Sequence, residues 1–217
     1  SQPEFQRSDF LLKGLGFDSI KGYKTDFNSQ EVKLKSPWGI YDKDIFEFAK
    51  KEYLELSARN EPFFLAISTL DSHSKCTDVY DPRIDEFFKP DGLKKPQRVI
   101  RWIDYLVDDF IDFVEKNSDM ENTVILVTPD HTNTGRDGEY LLSNISEEEL
   151  GIKGRDELSK LDMPSIILAA AGVSTNAVFL KDLTLNAGVK DGELDAWLKQ
   201  KKYEIISFCL AHFNADK

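Results

Sequence analysis

Three apolar runs of strand length, at residues 63–70, 123–128 and 165–170, constrain this chain more than any other feature of its sequence. Each is nearly continuous in apolar residues instead of alternating, and each has a Pro or a polar residue at its start. A strand that is apolar on both faces is buried on both faces, which is the habit of a mainly parallel sheet covered by helices. The intervening segments supply the helices. Residues 98–116 set Val99, Trp102, Ile103, Leu106, Phe110 and Val114 at helical spacing, with Arg101, Asp104, Asp108 and Asp112 opposite. A second helix is predicted from about Asp42, read as its N-cap, through Ile45, Phe46, Ala49, Tyr53 and Leu56, with Asp44 in the favoured first turn. Shorter helix is expected near residues 4–13, and more over 191–213. The predicted class is α/β, a mainly parallel sheet flanked by helices.

With 217 residues and no internal repeat, low-complexity tract or linker-like run, the economical organisation is a single α/β domain spanning 1–217. Residues 71–96 and 132–160 hold most of the turn formers, including Asp91-Gly92 and Asp137-Gly138, and read as loops carrying short helices. The 39 acidic against 28 basic residues, a net charge of −11, argue against nucleic acid as a partner. Affinity for a phosphate backbone comes mainly from Lys and Arg displacing counterions, and no basic stripe is present. The longest apolar stretch, 163–173, is shorter than the about 20 residues a membrane-crossing helix needs. The polar start at Ser1 has neither the basic beginning nor the apolar middle of a signal peptide, and is read as a boundary, not a natural start. Cys76 and Cys209 either pair across the fold or are both free, and neither sits in a CxxC pattern. The Asn144-Ile145-Ser146 sequon is read as a chance match.

In open α/β sheets, ligands bind outside the carboxyl ends of the strands, so polar residues directly after an apolar run are the first to inspect. Two such places stand out. Asp71-Ser72-His73-Ser74 follows the first run, and Pro129-Asp130-His131-Thr132 follows the second. Asp130 and His131 offer a hard oxygen and an imidazole nitrogen, a pair that suits a divalent ion; alternatively, Asp130 caps a turn and His131 bonds a carbonyl. His73 donates to an anionic ester oxygen or protonates a leaving group, or else is a satisfied surface histidine. Trp38, between Pro37 and the helix at Asp42, is either an aromatic wall for a ligand or core.

Taken in order, these segments resemble the alkaline phosphatase superfamily in its sulfatase-like branch, over about residues 14–171. Leu15-Gly16-Phe17-Asp18, then Trp38-Gly39-Ile40 followed by Asp42-Lys43-Asp44-Ile45-Phe46, are similar to segments of phosphoglycerol transferases and lipoteichoic acid synthases. Pro62-Phe63-Phe64-Leu65 through Thr69-Leu70-Asp71-Ser72-His73 resembles the strand whose histidine lies at the substrate phosphate or sulfate. Asn122-Thr123-Val124-Ile125 ending in Asp130-His131 resembles the strand whose last two residues bind the metal, and Met163-Pro164-Ser165-Ile166 resembles a later strand. Thr132 stands where many relatives carry Gly.

The resemblance implies an alkaline-phosphatase-like fold truncated at its N-terminal side, and an enzyme of the cell envelope's extracytoplasmic face that transfers or hydrolyses a lipid- or glycan-linked phosphate or sulfate ester. It implies His73 as the catalytic and substrate-binding histidine, Trp38 lining the pocket, and Asp130 and His131 as ligands of a divalent metal, Mn²⁺ first, with Ca²⁺ or Zn²⁺ as alternatives. The Thr, Ser or formylglycine nucleophile, a further acidic ligand and any membrane anchor are expected upstream of Ser1, which would leave the chain inactive alone. A sulfatase with a formylglycine nucleophile is the second enzymatic reading. A non-catalytic module that binds a partner through its acidic surface is the third reading.

Overall fold

The computed structural model describes residues 12–14, 16–22, 35–36, 39–73, 80–88, 92–129, 141–154, 158 and 162–174. The chain divides into two compact units, Ser1–Thr123 and Val124–Lys217.

In the first unit, strands β1 (Lys35–Ser36) and β2 (Gly39–Ile40) pair antiparallel, with Lys35 opposite Ile40 and Ser36 opposite Gly39. Helix α1 (Asp42–Ser57) follows at once, then the short α2 (Arg83–Phe87) inside the expected loop, then α3 (Lys95–Asn117). The start of α3 is written in its sequence: Pro96 tolerates the first turn, where an N–H would be unsatisfied anyway, and the Gln97 side chain accepts the Lys94 N–H at 2.9 Å. The predicted stripe faces inward. Val99, Trp102, Leu106 and Val114 are buried, and Val99, Trp102 and Leu106 join Phe46 of α1 and Ile84 of α2 in one core. Trp102 sits among the rings of Phe87, Phe88 and Tyr105, with centroids 5.1, 6.4 and 5.7 Å away, and Lys50 of α1 bonds Asp109 of α3.

Two expectations for this unit are corrected. Residues 63–70 run on without helix or ladder, and side-chain contacts hold them in place of a neighbouring strand. Phe63 meets Tyr53 edge-on at 5.6 Å, Phe64 meets Phe17 at 5.8 Å, Ile67 packs on the core, and Leu70 is buried. Phe63 and Phe64 nevertheless stay exposed. The N-cap of α1 is Tyr41, not Asp42; Asp42 is the first helical residue and its side chain makes no capping bond. Its carboxylate is engaged elsewhere, as described below. The turn predicted at Asp91-Gly92 agrees with Gly92, whose φ of +74° L side chains rarely adopt. Of the helix expected near 4–13, residues 12–14 are described, and 12–14 are helical; the segment 191–213 and Asp137-Gly138 lie outside the described residues.

In the second unit the run at 123–128 yields one short strand, β3 (Leu126–Val127), antiparallel to β4 (Leu142–Ser143), with Leu126 opposite Ser143. The Asn144 side chain extends the pairing by accepting the Ile125 N–H at 2.8 Å. The third run is not a strand. Residues Met163–Ala170 form helix α4, because Pro164 is at home in a helix's first turn and Leu168, Ala169 and Ala170 are strong helix formers. A six-residue apolar run cannot reveal its own period, and here helix propensity decided. Ile166 of α4 packs with Leu150 and Ile152 into a small core that Leu126 and Ile145 border. Among the described residues both strand pairs are antiparallel, and the expected parallel sheet is not found there.

Candidate active site

The chain turns sharply where the 63–70 run ends, and the Leu70 carbonyl accepts the His73 N–H at 2.9 Å. That turn is fastened to the start of α1 by two aspartates. Asp42, fully buried, accepts the Leu70 N–H on one carboxylate oxygen at 2.6 Å and the Asp71 N–H on the other at 2.9 Å. Asp71 answers through Oδ2, which accepts the Asp42 N–H at 3.3 Å. Two of these donors belong to the turn and one to the first residue of the helix, so each side chain closes the other's backbone. Asp71 is 1% exposed, and its second oxygen, Oδ1, is buried without a hydrogen-bond partner.

A second network lies across Asp44 and α2. Asp81 is fully buried and takes both the backbone N–H of Arg83, at 2.9 Å, and its Nε, at 3.0 Å. The rest of the guanidinium forks onto Asp44 of α1 at 3.1 and 2.7 Å, a bidentate geometry that fixes orientation as well as charge. Arg83 also lies 5.8 Å from the Tyr41 ring centroid. Burial pulls the guanidinium's affinity for its proton down, but the hydrogen bonds to Asp44 and Asp81 outweigh it and hold Arg83 above its ordinary value.

The electrostatics of the paired aspartates follow from burial. Burial raises Asp42 to about 6 against the help of its backbone hydrogen bonds, and burial together with the charge of Asp42 pushes Asp71 up to about 8. Burial, then the charges of Asp81 and Asp71, also raise the Tyr41 hydroxyl. Both shifts favour the neutral carboxyl, and the charge of Asp42 on Asp71 works against ionising the two together.

The structure therefore places His73, half-buried, on a turn that two buried carboxyls hold. Trp38, Asp130 and His131, along with Cys76 and Cys209, lie outside the described residues. Among the described residues no group of three or more His, Cys, Asp or Glu is arranged to hold a metal ion. Asp42 and Asp81 are instead committed to N–H donors, which suits carboxylates that support a site and not ones that ligate a cation. Reading along the sequence, Asp42 and Asp44 were visible as a helix start and Asp71 as a residue after an apolar run. The joining of Asp42 to Asp71 and of Asp44 to Arg83 carries no local signature because the partners stand 29 and 39 residues apart.

The sulfatase family model matches residues 4–152, and the chain belongs to the sulfatase family, whose fold is alkaline-phosphatase-like α/β. It is similar to phosphoglycerol transferase I of Citrobacter koseri and to the proteins of the same name in Escherichia coli strains SMS-3-5 and O157:H7. Each is 28% identical over 137 residues, covering 58% of this chain and 17% of the relative. The matched region is thus less than a fifth of those relatives' length. No solved structure matches the chain. The sulfatase family is generally metal-dependent. Among the described residues, no helix is long and apolar enough to cross a membrane.

Proposed function

We propose that this chain is the C-terminal portion of a single catalytic domain that transfers a phosphate ester group, most like a phosphoglycerol transferase at the extracytoplasmic face of the cell envelope. The observation that carries the reading is His73, presented on a braced turn at the end of the 63–70 run, within the span matched by the sulfatase family. That match runs without a break from residue 4 to 152, across the division at Thr123, which favours one domain over two. The names of the relatives favour a phosphate ester over a sulfate ester. A mainly parallel sheet, as the sulfatase family implies, is the proposed frame.

In this reading the His73 imidazole donates to the anionic ester oxygens and gives a proton to the leaving oxygen, while Trp38 walls the substrate. Asp130 and His131 are the proposed ligands, an oxygen and a nitrogen donor suited to Mn²⁺, with Ca²⁺ and Zn²⁺ as the other candidates. When bound, such an ion supplies positive charge that stabilises ester oxygens and lowers a nucleophile's pKa. The nucleophile is not among these assigned residues, and the match covers 17% of the relatives' length. The substrate is a lipid- or glycan-linked ester.

The sulfatase reading differs in one chemical fact, a formylglycine made from Cys or Ser. Peptide-resolved mass spectrometry of the native polypeptide tests both. An unmodified Thr in the family's nucleophile position, with turnover of a phosphoglycerol ester, is the expected result. Formylglycine and turnover of a sulfate ester would replace the proposal with a sulfatase, and no nucleophile at all would leave a binding module.

A further inference from the structure

The Asp42–Asp71 clasp has a gap in its hydrogen-bond account. Of its four carboxylate oxygens three accept backbone N–H groups, and the fourth, Oδ1 of Asp71, is buried with nothing to accept. A buried anionic oxygen without a donor is costly, whereas the same oxygen carrying a proton is neutral. The charge of Asp81, just ahead of α2, pushes the same way on both carboxyls, while Arg83 opposes it at Asp71 but is itself bonded to Asp81 and Asp44, two carboxylates to one guanidinium; Tyr41, ahead of α1, is the other titratable neighbour. The His73 imidazole belongs to the same turn.

We propose that Asp42 and Asp71 are a positioning pair which, by holding one proton between them, keeps the 70–73 turn closed on the start of α1 and so sets the placement of His73. This rests on the reading of His73 as the group that meets the ester. Neither aspartate touches substrate; they act through the turn. With one proton the clasp has a single negative charge solvated by three N–H donors. When that proton leaves in alkaline solution, two negative charges face each other inside the protein, and the turn is driven away from the helix start.

The test uses the whole chain and needs no substrate. In the wild type, the backbone amide resonances of Leu70, Asp71 and His73 should move together through one step near pH 8. Asp71→Asn keeps the shape and the accepting oxygen without the charge, and should abolish the step with the three amides held at their neutral-pH positions. His73→Gln should retain the step, because the step belongs to the carboxyl pair and not to the imidazole. A step that survives in Asp71→Asn, or vanishes in His73→Gln, would overturn the proposal. Should Asp71→Asn fail to fold, the carboxyl carbon resonances of the wild type decide: one proton retained by the pair above pH 6 is expected, and both carboxyls ionising in the ordinary range near 4 would overturn it. Failure of the functional reading shows separately, as unchanged ester turnover in His73→Gln of the native enzyme with the amide data intact.

Discussion

Among the described residues, the first unit gathers its core from three helices around Trp102 and adds acids paired across 28 to 39 residues of sequence, whereas the second has a small core of Leu150, Ile152 and Ile166 with polar bonds of shorter span. In the second unit Ser146 and Glu149 bond each other within one turn, and the Asn144 side chain accepts the Ile125 N–H across 19 residues. A short-range bond fixes local shape alone. A long-range bond from a buried carboxylate fixes where two segments meet, as it does at the turn that carries His73. The contrast predicts that polar substitutions hurt the first unit most, while the second responds chiefly to lost apolar volume.

The sharpest way to break the contrast is Arg83→Ala. It leaves the fully buried Asp81 charge without its guanidinium, and should cost about 3–5 kcal/mol in denaturant unfolding of the first unit. A loss no larger than that of an exposed ion pair would erase the distinction drawn here. The next effect is in pH. Asp42 and Asp71 have folded-state values raised above the ordinary carboxylate value, so their contribution to stability is full below about pH 4 and is lost as pH rises through about 6 and about 8. Thermal melts should show the first unit weakening over that window, and Asp71→Asn should flatten the upper half of the decline.

Asp42→Ala comes third. Removing both acceptors strands the Leu70 and Asp71 N–H groups, and about 1–3 kcal/mol of destabilisation is expected, with faster hydrogen exchange at those two amides. Smallest is Ile166→Val in the second unit, at about 0.5–1.5 kcal/mol, which should leave the exchange of the 70–73 turn unchanged. Protection lost at His73 in that variant would mean the two units are not independent in the way the comparison assumes.

Where the sequence was informative, it was because the signal was local. The stripe of α3 is periodic over more than five turns, and Phe46, Ala49 and Tyr53 mark the inner face of α1 in the same way. Residues 63–70 and 165–170 misled for the same reason in reverse: both are short, continuous and apolar, a pattern that strand, buried helix and extended chain share. Pro164 was the cue that separated α4 from a strand. His73 was legible as a polar residue after an apolar run; the run is not a strand, and the histidine lies on a turn. The clasp beside it was not, since no local rule distinguishes an aspartate that caps its own helix from one that reaches 29 residues along the chain. The roles assigned to Asp130, His131 and Trp38 rest on the motif resemblance alone.

The central claim, that His73 serves the ester while Asp130 and His131 hold the metal, is tested most directly by metal content and turnover measured together on two variants of the native enzyme. His131→Ala should lose metal and activity together, and His73→Ala should lose activity while retaining its metal. Equal loss of metal in both variants, or turnover that survives in His73→Ala, would contradict the account.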